Sequence, residues 1–293
     1  MGKLAISGGN PIGKINIPKW PYFTQEDIDA VAKAVSSGIW GYLGPYEKEF
    51  ELAFASFCQT KFSIAVTNGT HTLRLALEAL NIGPGDEVLV PGLTFQATAS
   101  AVLDANAIPV LVDIDPETYT IDINKAEQAI TSRTKCIIPV HLYGRMADMD
   151  GIMKIASKYK LFVIEDCAHQ HGAEWNGKRA GSIGDVGSFS LQSTKILNCG
   201  EGGVLTTNNS YMKDLLQSLK NCGRRESEGA PTMQSGNYRM TELQAALLLV
   251  QLSRLDEQNA IRDDNAKYLE KRISQIPGIK PMYRNPAINI QAY

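Results

Sequence analysis

The sequence predicts an α/β protein: a mostly parallel, seven-stranded sheet with helices on both faces. Three observations carry this. Short β-branched runs recur along the chain, helix-period segments separate them, and glycine–proline turns punctuate the boundaries. The runs are apolar along their length rather than alternating, as in strands covered on both sides.

In order, strands are read over 62–66, 87–90, 109–114, 136–140, 161–165, 186–191 and 203–207. Helices are read between them over 72–80, 94–105, 123–130, 149–159 and 211–219. Single helices between strands make βαβ units, which require parallel pairing. The run Gly83-Pro-Gly-Asp86 marks the turn before the second strand. From Thr241 one long helix is read to about residue 273. Its first half is apolar nearly all round and its second half is charged, so it leaves a core for an exposed face. Proline and glycine break up 277–293, where another apolar run starts at Ile288.

The 293 residues, 44% hydrophobic, suffice for one large domain and a smaller one. A net charge of -2 without a polybasic run argues against nucleic acid or an anionic membrane surface as partner. Five cysteines with no C-x-x-C spacing suit a reducing compartment. No apolar run reaches membrane-spanning length, and a cytoplasmic location is expected.

Two residues point to chemistry. Asp166 ends an apolar run, and Lys195 lies between an apolar run and the glycine-rich turn Gly200-Glu-Gly-Gly203. Restricted solvation makes a lysine easier to deprotonate, which imine chemistry requires. An acid at one strand end and a lysine after a later strand is the pairing that pyridoxal 5'-phosphate (PLP) uses. Alone, each has a plainer reading: a turn-capping Asp and a solvated Lys. Gly69 and Thr70 follow Asn68 at a helix start, which suits an anion as well as an ordinary cap. Phe95 falls just beyond a strand's C-terminal end, where it could stack on a flat ring or pack a helix. Cys167, His169 and His171 spell a metal-like pattern, but no second ligand pair follows at zinc spacing and no metal is expected. The pair Arg224-Arg225 reads as a solvated loop.

Together, these residues resemble the DegT/StrS-type sugar and aminocyclitol aminotransferases, which are fold type I PLP enzymes. The similarity spans about residues 8–277. It rests on Val66-Thr-Asn-Gly-Thr-His71, Pro91-Gly-Leu-Thr-Phe95, Glu165-Asp-Cys-Ala-His169, Ser188-Phe-Ser-Leu-Gln-Ser-Thr-Lys195, Gly200-Glu-Gly-Gly203 and Gly236-Asn-Tyr-Arg-Met240. Pro139-Val-His-Leu-Tyr-Gly144 and Gln251-Leu-Ser-Arg-Leu-Asp-Glu257 are similar to the branches that aminate keto-inositols and that form 3-amino-5-hydroxybenzoate.

The resemblance implies Lys195 as the Schiff-base lysine and Asp166 as partner of the pyridinium nitrogen. It puts Phe95 on the ring, His169 near the phenolic oxygen, and Gly69, Thr70 and Ser190 on the phosphate. Asn237 would reach the phosphate of a neighbouring subunit, making a homodimer with shared sites. The implied substrates are glutamine or glutamate as donor and a keto-sugar or keto-cyclitol as acceptor. The implied division is an arm (1–20), a large PLP-binding domain (21–255) and the start of an incomplete small C-terminal domain (256–293). Two alternatives stay open: a PLP-dependent lyase or dehydratase-type enzyme such as 3-amino-5-hydroxybenzoate synthase, and a catalytically idle PLP-binding fragment or partner.

Overall fold

The computed structural model describes residues 2–16, 18–41, 44–224 and 231–290. Arg225 of the basic pair lies outside them. After a 3₁₀ turn at Ala5–Ser7 come α1 (Gln25–Ser36), α2 (Pro45–Phe57), β1 (Phe62–Val66), α3 (Gly69–Ala79), β2 (Glu87–Pro91), α4 (Ala97–Asp104) and β3 (Ile108–Val112). Then follow α5 (Ile123–Gln128), β4 (Thr134–Ile137), α6 (Met149–Tyr159), β5 (Phe162–Asp166), β6 (Glu174–Trp175) and β7 (Lys178–Arg179). The remainder is β8 (Val186–Ser190), β9 (Gly203–Thr207), α7 (Ser210–Lys220), α8 (Glu242–Ser253), α9 (Leu255–Ile273) and β10 (Ile288–Ile290).

The main sheet has seven strands in the order β1-β9-β8-β5-β4-β2-β3. β8, β5, β4, β2 and β3 pair in parallel, while β9 runs antiparallel to both β8 and β1. One reversed strand in an otherwise parallel sheet matches the expected class. Side-chain alternation splits the core in two. Ile64, Val66, Val88, Val90 and Ile164 face α3, α4 and α7 on one side. Ala65, Leu89, Val163 and Phe189 face α2, α6 and α8 on the other. The sheet is therefore covered on both faces.

Three differences from the sequence reading have local causes. α3 starts at Gly69, because the Asn68 side chain accepts from the His71 N–H and caps the helix inside the expected turn. The long helix is two, α8 and α9. The break falls at Arg254 (φ -108°, ψ 1°), whose guanidinium grips both oxygens of Asp27 in α1 at 2.9 and 2.8 Å. The small antiparallel sheet β10-β6-β7 is built from strands too short to show a period. No helix among the described residues is long and apolar enough to cross a membrane.

The sequence reading also passed over α1 and α2. α2 is fastened by charge: the buried Glu242 carboxylate accepts from the Tyr46 and Glu47 N–H groups, both at 2.8 Å, at the helix's positive end. Beside it the buried Lys220 ammonium donates to Glu47 at 2.9 Å and Glu51 at 2.7 Å. Burial drives the Glu51 carboxyl up, and the Lys220 charge offsets part of that. Lys220→Met should therefore destabilise the protein by about 3 kcal/mol, the low end for a broken buried pair, because Glu51 can take up a proton. Urea unfolding at neutral pH measures it; a loss below about 1 kcal/mol, the scale of an exposed pair, would refute the argument.

Candidate active site

Six of the seven strands of the main sheet share one direction, so their C-terminal ends share one edge. In such sheets that edge is where a ligand crevice opens. Here it holds a cavity of about 890 Å³, walled by the segments that follow β1, β2, β4, β5 and β8. Asp166 and Lys195 both line it, brought together because β5 and β8 are adjacent and parallel. His169, Phe95, Gly69, Thr70 and Ser190 line it as well.

Asp166 is buried. Burial pushes its carboxyl above the ordinary value of 3.8, and a Thr98 hydroxyl bond, an Ala168 N–H bond and the charges of His141 and Lys195 act against that. The Lys195 ammonium is pulled down, chiefly by burial, with Asp166 opposing. Two groups that would be opposite charges in water are thus both pushed toward neutrality, a pattern typical of reactive sites. His169 is lowered to about 4 by burial and by the Lys195 charge, so it is neutral at pH 7. Phe95 is 69% exposed, leaving an aromatic face bare in the cavity wall.

Gly69 opens α3 against β8. A Cβ added there would meet the Ser190 Cβ at 2.6 Å and its Oγ at 3.1 Å, so only glycine lets the helix start sit so close to that hydroxyl. The first N–H groups of a helix lack intrahelical acceptors. Gly69, Thr70 and Ser190 therefore form a concave, donor-rich cradle of the kind that takes phosphate.

Asn237 does not line the cavity. It is exposed, and its Oδ1 accepts from Arg239 Nε at 2.8 Å. The loop that carries it packs against the start of α3, where the Tyr238 and His71 rings lie 4.6 Å apart. The metal-like triplet does not converge: Cys167 turns to the Glu165 carbonyl, His171 Nε2 donates to the Ser190 carbonyl at 2.8 Å, and His169 faces the cavity. Among the described residues one buried group, His141, Glu165 and Cys167, is close enough to suggest a metal. Glu165 already takes N–H bonds from Gly181, Ile183 and Gly184 and one from His141 Nε2. Burial holds the Cys167 thiol well above its ordinary range. Filled acceptors and an un-ionised thiol serve the fold.

Sequence reasoning missed Thr94, Thr98, His71 and Tyr143, which also line the cavity. A signal existed for the threonines: spacing of four around Phe95 puts both hydroxyls on one side of a helical turn. Tyr143 has a φ of 50°, which no sequence cue announces.

Residues 21–291 match the DegT/DnrJ/EryC1/StrS aminotransferase family. The chain is 39% identical to an L-glutamine:2-deoxy-scyllo-inosose aminotransferase from Streptoalloteichus tenebrarius, the alignment covering 99% of this chain and 72% of that relative. Its fold superposes on the crystal structure of 3-amino-5-hydroxybenzoic acid synthase with a TM-score of 0.92 at 35% identity, covering 94% of this chain and 73% of the other. A Bacillus subtilis protein, NtdA, solved with bound cofactor PMP, matches at a TM-score of 0.81 and 32% identity over 86% of this chain and 57% of its own. The order of motifs, the sheet and the lysine–aspartate cavity agree with these likenesses: the chain belongs to the DegT/DnrJ/EryC1/StrS aminotransferase family.

Proposed function

We propose that this protein is a PLP-dependent aminotransferase that passes an amino group from glutamine or glutamate to a ketone on a sugar or cyclitol, with keto-inositols the favoured acceptors. The observation that carries the reading is the convergence of Lys195, Asp166 and the Gly69–Ser190 cradle on one cavity. The name of the Streptoalloteichus relative supports glutamine and a keto-inositol. PMP, the cofactor of the NtdA structure, is the amino form of PLP.

The residues suit the group. Gly69, Thr70 and Ser190 would hold its phosphate, Asp166 a proton on its ring nitrogen, Phe95 its ring face, and neutral His169 its phenolic oxygen. When bound, PLP supplies an electron sink conjugated to the carbon that carries the migrating nitrogen. Lys195 Nζ, held toward neutrality by burial, takes the proton from the donor's α-carbon and in the reverse half returns one to the acceptor carbon. Asp166, whose hydrogen bonds act against the upward push of burial, would hold the proton at the opposite end of the site.

The test is direct. Purified protein with PLP, glutamine and 2-deoxy-scyllo-inosose should yield an aminocyclitol detectable by mass spectrometry. Loss of water from a polyol substrate without nitrogen transfer would favour the lyase or dehydratase reading. No product from any keto-cyclitol or keto-sugar would favour the idle partner.

The working unit we propose is a homodimer in the cytoplasm, where its five free cysteines would stay reduced. We also propose the division into an arm (1–20), a large domain (21–255) and a second unit beginning at 256, supported by how little of α9 is buried. In the dimer, exposed Asn237 would complete the partner's phosphate site. Mixing Asn237→Asp protein with Lys195→Ala protein should then restore part of the activity, since one site of each mixed dimer keeps both residues. Mixed dimers that form and stay inactive would refute sharing.

A further inference from the structure

We propose that Thr98 is a positioning residue that, relayed through Thr94, orients Asp166 and keeps its carboxylate able to hold a cationic ring. The inference rests on the PLP reading of the site and names a residue that reading does not use. Thr98 is fully buried in α4 and donates its hydroxyl proton to Asp166 Oδ2 at 2.9 Å. Thr94 and Thr98 hydroxyls lie 2.8 Å apart, and geometry alone leaves the donor open. Chemistry closes it. An ionised carboxylate only accepts, so the one Thr98 proton goes to Asp166 and Thr94 must donate to Thr98. The result is a directional chain, Thr94 to Thr98 to Asp166, in which each bond polarises the next.

The other oxygen of Asp166 accepts from the Ala168 N–H at 3.2 Å, and the backbone on either side is fixed by bonds to Pro139 and His141. Each carboxylate oxygen thus has one protein donor and keeps acceptor capacity toward the cavity. The groups around Asp166 are Lys195 and His169 in the cavity, His141 and Glu165 behind it, and the Cys167 thiol beside it. Of these, Lys195 and His141 favour the carboxylate, and Thr98 adds a hydrogen bond to it. The same turn also carries Phe95, whose carbonyl accepts the Thr98 N–H at 3.1 Å. One short stretch of chain therefore sets both the ring-facing aromatic and the ring-facing acid.

Thr98→Val keeps the shape and removes the proton; Thr98→Ser keeps the proton. Equilibrium binding of PLP, followed by the visible absorbance of the loaded protein across pH, separates them. Thr98→Val should weaken PLP binding about tenfold, the lower bound for losing a hydrogen bond to a charged group. It should also move the acid limit of binding up by about one pH unit, because Asp166 then protonates sooner. Thr98→Ser should restore both. A Thr98→Val protein that matches wild type in affinity and acid limit would overturn the role, as would a Thr98→Ser protein as impaired as Thr98→Val. Wild type that gains no visible absorbance with PLP would overturn the reading of the site itself, and Thr98's part with it.

Discussion

Lys195→Ala abolishes transfer of nitrogen and the visible absorbance that PLP acquires on the wild-type protein. Among the described residues no other lysine lines the cavity, so no second amine there is placed to substitute. The change is mild for the fold: Lys195 is partly exposed and its backbone N–H bond to Gln192 at 2.8 Å remains. The variant should thus unfold at the wild-type urea concentration while its rate falls to the background of the uncatalysed reaction. A variant whose PLP still becomes reducible by borohydride onto the protein at the site would place the reactive amine elsewhere.

Asp166→Asn ranks next. An amide cannot hold a proton on the ring nitrogen, and losing a buried charge partner costs about 3–5 kcal/mol, or about 10²- to 10⁴-fold in rate. Its effect on stability has the opposite sign. The Asp166 carboxyl is raised in the folded protein, mainly by burial, so the cofactor-free fold binds its proton more tightly than the unfolded chain does. Its ionisation therefore subtracts stability as pH climbs from the ordinary 3.8 through the folded value. Without cofactor, Asp166→Asn should be at least as stable as wild type at pH 7, with the advantage gone in strong acid. A cofactor-free variant clearly less stable at pH 7, or turnover within about threefold of wild type, would count against a buried, ring-facing acid.

The positions of the seven strands along the chain and the chemistry at strand ends were legible because both follow from local runs: apolar segments of fixed length, and the residue type that ends them. Asp166 and Lys195 needed only that β5 and β8 be parallel neighbours. What escaped the sequence depends on partners far along the chain. Thr98 meets Asp166 across 68 positions, and Glu242 reaches the start of α2 across 195. Helical periodicity also runs straight through Arg254, because the break there coincides with an ion pair to α1. Asn237 shows the opposite limit: its motif is legible, yet within one chain it is exposed and does not line the cavity.

The reversed strand has a consequence for synthesis. Among the strands of the described residues β1 pairs with β9, Phe62 opposite Thr207 and Val66 opposite Gly203. A chain leaving the ribosome therefore makes β1 and the glycine that opens α3 long before their neighbours exist, and such distant pairings close slowly. Until β8 and β9 emerge, β1 is a bare apolar edge open to mispairing with other nascent chains. The proposed phosphate cradle, with Gly69 on one side and Ser190 on the other, therefore cannot form until the chain has been made as far as β8, about 120 residues after Gly69.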